Sequence, residues 1–283
     1  LISPIATGTP TLTEYLLESG ADPHGIAVLP GSEVWFAEYG RHAIARMSIS
    51  LRQITEFFLP DSNARPEGIL YLPNSGIWFT EYLGDRIGYL SPSGSLLKEW
   101  PLSSGSFPHS LSNDTFGNIW FSESGRNRIA RLNPYTNEIT EYLIPTPNAQ
   151  PFGIQVDSKN NVWFAEHGTG KIGRFTPGSN IFVEFTRVGG AARDIQYASD
   201  PDNHMSVWFT DDTGHRIGRL NPDVATTFLL YLNIYCLPVI KHCNDARNFN
   251  GHNFKCHFKY HINSLRGIKL RDVFYNNYVL QCQ

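Results

Sequence analysis

The chain is 283 residues long, 41% hydrophobic and 13% aromatic, with a formal net charge of −3. That apolar content excludes wholesale disorder, and no apolar run reaches the roughly 18–20 residues needed to span a bilayer; the longest, residues 228–240, is broken by Asn233 and Pro238. Charge is uneven: residues 224–283 hold seven Lys/Arg and two Asp/Glu, the rest 16 and 24, and an acidic body argues against a phosphate-backbone partner while suiting cations.

In chain order, Leu12-Thr13-Glu14-Tyr15-Leu16 comes first and copies the strand that ends each later repeat. It is predicted to complete the sheet of the last blade and close a ring, since closure removes exposed strand edges. A unit then opens at Pro23-His24-Gly25-Ile26, passes a Pro30-Gly31 turn, and enters Trp35-Phe36-Ala37-Glu38. Ile44-Ala45-Arg46-Met47 follows, and the unit ends on Gln53-Ile54-Thr55-Glu56-Phe57-Phe58.

The same order recurs from Pro66, Pro108 and Pro151, with Trp78-Phe79-Thr80-Glu81, Trp120-Phe121-Ser122-Glu123, Trp163-Phe164-Ala165-Glu166 and finally Trp208-Phe209-Thr210-Asp211. Successive tryptophans stand 43, 42, 43 and 45 residues apart. Short β-branched and aromatic pieces punctuated by Gly, Pro and Asn at a period in the low forties predict propeller blades of four antiparallel strands. The fold class expected is therefore all-β: a β-propeller with five recognisable repeats over residues 1–223, followed by a divergent tail, 224–283.

Chain direction alternates along a blade, so the start of each first strand and the acid ending each second strand share one face. His24 to Glu38, Glu67 to Glu81, His109 to Glu123 and Phe152 to Glu166 are each 14 residues apart. Recurrent acids read as scaffolding that accepts backbone N–H groups or pairs with Arg41, Arg86, Arg128 or Arg216. The histidines break the repeat, which makes His24 and His109 the candidates for chemistry. Asp22 adds a second carboxylate beside His24 alone, so Asp22, His24 and Glu38 form the one set with two hard oxygen donors and a base, suited to Mg²⁺ with an imidazole proton acceptor.

Pro-His-Gly-Ile, Trp-Phe-x-Glu, Asn127-Arg128-Ile129-Ala130-Arg131-Leu132 and Ile139-Thr140-Glu141-Tyr142-Leu143-Ile144-Pro145-Thr146-Pro147 resemble the virginiamycin B lyase (streptogramin lyase) family over roughly residues 11 to 223. The resemblance implies a seven-bladed propeller that linearises a cyclic depsipeptide by elimination. By the same resemblance His24 is the general base, and Asp22 and Glu38 hold Mg²⁺. A second histidine of the family lies in the preceding repeat and has no counterpart here. His109 takes the equivalent place two blades further on, a separation expected to keep it from acting with His24.

The tail departs from this pattern, with no Trp and with all four cysteines, Cys236, Cys243, Cys256 and Cys282. Two further blades need roughly 85 residues at the observed period, and 60 remain. Cys243, His252, Cys256, His257 and His261 lack the paired spacing of a zinc site, and the tail reads as sequence foreign to the repeats. The chain starts at Leu1 without a basic-then-apolar leader, and a signal peptide is expected to be absent or already removed. The activity expected is a Mg²⁺-dependent C–O lyase. Its alternatives are a non-catalytic propeller binding a small molecule or cyclic peptide on one face, and a metal-dependent lactonase; in each case the chain is expected to be a monomer without nucleic-acid or membrane partners.

Overall fold

The computed structural model describes residues 12–31, 33–73, 75–95, 97–186, 189–199 and 205–222, together with two short strands near the C-terminus. The chain divides into two compact units, Leu1–Phe228 and Leu229–Gln283. In the first, four antiparallel sheets of four strands follow the repeats in order. The first blade is β1 (Pro23–Leu29), β2 (Glu33–Glu38), β3 (Ala43–Ser48) and β4 (Gln53–Phe58). The second is β5 (Pro66–Leu72), β6 (Gly76–Glu81), β7 (Arg86–Leu90) and β8 (Leu97–Pro101). The third is β9 (Pro108–Asn113), β10 (Ile119–Glu123), β11 (Arg128–Asn133) and β12 (Glu138–Leu143). The fourth is β13 (Pro151–Val156), β14 (Val162–Glu166), β15 (Lys171–Thr176) and β16 (Ile181–Phe185). A fifth sheet has three strands among the described residues, β17 (Ala192–Ser199), β18 (Met205–Asp211) and β19 (Arg216–Leu220).

The first strands of successive blades pack on one another, β1 on β5, β5 on β9, β9 on β13 and β13 on β17, which makes them the innermost. Each Trp-Phe pair then works as a two-sided clamp, because neighbouring strand residues point to opposite faces. Trp35 packs forward among Ile77, Phe79 and Leu90 of the second blade, while Phe36 turns the other way, onto Ala45, Met47 and Leu17. Trp78 lies among Ile119, Phe121 and Leu132, Trp120 among Ile154, Val162 and Phe175, and Trp163 among Ile195 and Val207. Each indole removes about 150–250 Å² from water, worth roughly 4–6 kcal/mol on area alone. In every blade but the second an arginine of the third strand faces the tryptophan across the ladder, with Arg46 5.6 Å from the Trp35 ring and Arg174 5.4 Å from Trp163, and in the second blade Tyr89 takes that place.

Residues 12–18 form no strand, and Leu12 and Leu16 are exposed. Leu17 packs on the first blade instead. The predicted closing strand is therefore not formed by this segment: a strand needs a neighbouring edge to bond, and the described fifth sheet ends at β19 with no partner from residues 12–18. The fourth strand of that sheet and the cysteine–histidine set of the tail lie outside the described residues. In the second unit, β20 (Val273–Tyr275) and β21 (Tyr278–Leu280) pair antiparallel, with Phe274 opposite Val279. Among the described residues no helix is long and apolar enough to cross a membrane.

Candidate functional site

Every blade presents one residue at a β-bulge near the start of its inner strand. Pro23 pairs with Glu38 and the register resumes at Ile26 opposite Phe36, so His24 and Gly25 together face Ala37. The same slip falls at Glu67 in β5, His109 in β9, Phe152 in β13 and Arg193 in β17. A bulge bends the strand and re-aims its side chain. Just before it, Asp22, Arg65, Phe107 and Gln150 are held at φ 47°, 51°, 47° and 46°, a left-handed geometry that costs a non-glycine residue about 1 kcal/mol or more. Their carbonyls accept the backbone N–H groups of Tyr39, Tyr82, Ser124 and His167, at 3.1, 3.0, 3.3 and 3.3 Å. The bulged residue and the residue after the recurrent acid are thereby fixed side by side in each blade.

These positions meet in a continuous chain of contacts. His24 Nδ1 lies 2.6 Å from Glu67 Oε2, and Glu67 Oε1 lies 3.4 Å from His109 Nε2. His24 also stacks on Tyr39 at 4.6 Å, and its Nε2 is 3.6 Å from Asp22 Oδ1. On the other side His109 stacks on Phe152 at 4.2 Å, and Phe152 stacks on His167 at 4.1 Å. His167 Nε2 is 3.1 Å from Asp212 Oδ2, and Arg193 closes the row, 5.6 Å from the Phe152 ring and 3.7 Å from Asp212. Tyr82 stands edge-on to His109 at 6.1 Å. Burial, reinforced by the positive charge of Arg193 and the other two imidazoles, pushes the His109 pKa down to about 3, so this ring is neutral at ordinary pH.

The expected grouping of His24, Glu67, His109 and Phe152 on one face is what the structure contains, and the separation expected between His24 and His109 is spanned by Glu67. Tyr39, Tyr82, His167, Arg193 and Asp212 were not singled out by sequence. One signal could have found four of them: the residue after the acid reads Tyr39, Tyr82, Ser124, His167 and Asp212, variable in a phrase that otherwise repeats.

The recurrent acids stand next to this row but are buried. Glu38, Glu81, Glu123, Glu166 and Asp211 are all at most 3% exposed. Glu81 is 3.3 Å from Arg86, Asp211 is 3.0 Å from Arg216, and Glu166 accepts a 2.8 Å bond from the Thr169 hydroxyl. Glu38 lies 4.0 Å from Arg41, whose guanidinium is taken up by Glu56 at 2.8 and 3.3 Å. Arg128 bonds Glu141 rather than Glu123. Burial raises the pKa of Glu38, Glu81, Glu123 and Glu166 to about 7 in each case, with the fourth-strand carboxylates Glu56, Glu99, Glu141 and Glu184 adding to the rise.

Asp22 and His24 are adjacent, but Glu38 is turned into this buried network and His24 Nδ1 is engaged by Glu67. Among the described residues no three His, Cys, Asp or Glu side chains gather closely enough to hold a metal ion. As arranged, then, Asp22, His24 and Glu38 do not fit Mg²⁺, which needs several oxygen donors converging at near-octahedral geometry.

Residues 2–231 match the virginiamycin B lyase family. Selenomethionine-substituted virginiamycin B lyase from Staphylococcus aureus is 33% identical, with 74% of this chain and 70% of that one covered at a TM-score of 0.67. A catalytically inactive form of that enzyme with quinupristin gives the same identity and TM-score over 74% and 69%. A gluconolactonase from Xanthomonas campestris, 17% identical over 68% and 69% with a TM-score of 0.53, shares the fold alone. No curated protein matches the chain. The matched span contains all five repeats and the whole His/Glu/aromatic row, and this chain belongs to the virginiamycin B lyase family.

Proposed function

We propose that the protein is a C–O lyase that linearises a cyclic depsipeptide by elimination, with His24 as the general base. The observation that carries this reading is the placement of His24 at a bulge on the aromatic face, partly exposed, stacked on Tyr39 and flanked by carboxylates on two sides. In the step proposed, the imidazole takes the proton from the carbon alpha to a carbonyl. The C–H electron pair becomes the new C=C bond, and the alkyl C–O bond of the ester breaks, its electrons leaving with the carboxylate. An imidazolium formed at His24 is met by Asp22 at 3.6 Å and Glu67 at 2.6 Å, so proton transfer creates favourable charge pairs rather than an isolated buried charge. Tyr39 and Tyr82 offer apolar surface for a bulky ligand. His109, neutral and buried beside Glu67, serves this reading as part of the same row. Magnesium is assigned no step, since the donors do not converge.

The full chain is incubated with a streptogramin B antibiotic, with and without Mg²⁺, and the product is weighed by mass spectrometry. A ring-opened product of unchanged mass that depends on His24 is the expected result. A gain of one water indicates a lactonase, and binding without turnover indicates a non-catalytic propeller; either sinks the lyase reading.

A further inference from the structure

We propose that Glu67 is a positioning residue that fixes the tautomer of His24 and ties its ring plane to the third blade through His109. The inference rests on His24 acting as the base, but the experiment below reads Glu67 without requiring turnover.

Glu67 occupies in β5 the bulge position that His24 and His109 occupy in the blades on either side. It is mostly buried, and among the described residues its ion-pair partners are those two histidines. An ionised carboxylate only accepts hydrogen bonds. With Glu67 ionised, its Oε2 at 2.6 Å accepts from His24 Nδ1, which assigns the proton to Nδ1 and leaves Nε2 of the neutral ring with the lone pair that a general base needs. The second oxygen of Glu67 faces His109 Nε2 at 3.4 Å, and His109 is itself held by Phe152 stacked at 4.2 Å and Tyr82 edge-on at 6.1 Å.

One further contact holds the plane of the imidazole, and one close backbone approach sets the two strands against each other. Tyr39 lies nearly parallel to the His24 ring, at 4.6 Å and 11°, which holds the ring plane, and a flip within that plane would carry Nδ1 away from Glu67. Gly25, next to His24, allows the backbone of the second blade to come close: a Cβ there would sit 2.6 Å from the Glu67 carbonyl oxygen. The backbone that carries Glu67 is thus set against the backbone that carries His24, and their side-chain bond inherits that precision. This is the arrangement in which a buried acceptor selects one imidazole tautomer for a neighbouring base.

The test is long-range ¹H–¹⁵N NMR of the histidine side chains in the uniformly labelled full chain, on wild type, Glu67→Ala and Glu67→Gln, with thermal melts as the control for folding. His24 in the wild type is expected to be the Nδ1–H tautomer. Glu67→Ala is expected to move it toward Nε2–H, and Glu67→Gln, whose amide oxygen still accepts, to keep Nδ1–H. Where turnover is measured, Glu67→Ala is expected to lower kcat by roughly 10–100-fold with little change in KM, and Glu67→Gln to restore most of it. An Nε2–H tautomer in the wild type, or no change of tautomer in a folded Glu67→Ala, overturns the proposal. Absence of turnover in the wild type overturns the lyase reading alone, because the tautomer result stands without it.

Discussion

Trp163 and Trp208 occupy the same register position of successive blades, yet Trp163 is 1% exposed and Trp208 is 42% exposed. The first is covered by Ile195 and Val207 of the fifth blade. The second faces away from the fourth blade, where Ile217 is also exposed, and among the described residues no sixth blade lies against it. Truncation should expose the difference. Trp163→Ala removes an indole from a closed inter-blade core and is expected to cost about 3–5 kcal/mol. Trp208→Ala is expected to cost less than half as much. Urea unfolding midpoints decide the matter, and equal losses would mean that Trp208 is packed as tightly as its counterparts.

How far this difference could be read from sequence depends on what the repeat encodes. Trp-Phe alternation along a strand sends one ring forward and the other back, so the phrase carries the blade-to-blade packing within itself. The bulge at His24 is written in no residue type; it is a register slip that appears only when β1 and β2 are paired. His24 and His109 were legible because they interrupt the repeat, and Glu67 was legible as a member of their face but without a role of its own. Its role comes from lying between two imidazoles on neighbouring strands, a relationship set by the packing of β1, β5 and β9 rather than by spacing along the chain. Glu38 differs in the opposite sense: its spacing from His24 is legible in the sequence, while its burial, 4.0 Å from Arg41, appears only in the fold.

Gly25→Ala tests the close approach of the first two blades. A methyl group at Gly25 would meet Glu67 O at 2.6 Å and Ile69 N at 2.9 Å, and backbone atoms cannot swing aside as a side-chain tip can. The expected cost is about 1–3 kcal/mol, together with loss of the His24 tautomer preference. Gly178 has nothing within 4 Å of an added Cβ, so Gly178→Ala is expected to be neutral or stabilising by up to about 1 kcal/mol. Thermal melts of the two variants side by side give the answer.

The buried glutamates make stability depend on pH. For Glu81 the ordinary value is 4.5, and burial with Glu99 nearby raises it to about 7 in the fold. Between these values the folded state holds a proton that the unfolded state releases, so stability falls as pH rises through that window, by at most about 1.4 kcal/mol per pH unit and site. Glu38, Glu123 and Glu166 act in the same direction. His109 opposes them: its depressed pKa of about 3 costs stability as pH falls below 6.5. Four sites against one predict a Tm that declines from pH 5 to pH 7.5. Glu81→Gln, which keeps the shape and cannot ionise, is expected to flatten that decline. A Tm that rises over the same range would show that these carboxylates are charged in the fold.

The site itself predicts a separation between Asp22 and Glu38, the two carboxylates that the family resemblance groups together. Asp22 is exposed and 3.6 Å from His24 Nε2, whereas Glu38 is 1% exposed and lies 4.0 Å from Arg41. If His24 abstracts the proton, His24→Ala is expected to lower kcat by roughly 10²–10⁴-fold. Asp22→Asn weakens only the charge pairing of the imidazolium, and is expected to lower kcat by about tenfold with Tm unchanged. Glu38→Gln removes a buried carboxylate from the scaffold beside Arg41, so its main effect is expected in the pH dependence of Tm, with kcat altered less than by Asp22→Asn. Steady-state kinetics and melts of the three variants discriminate. Should Glu38→Gln abolish turnover while leaving the melting curve untouched, Glu38 acts on the substrate side of the site, and its assignment to the scaffold fails.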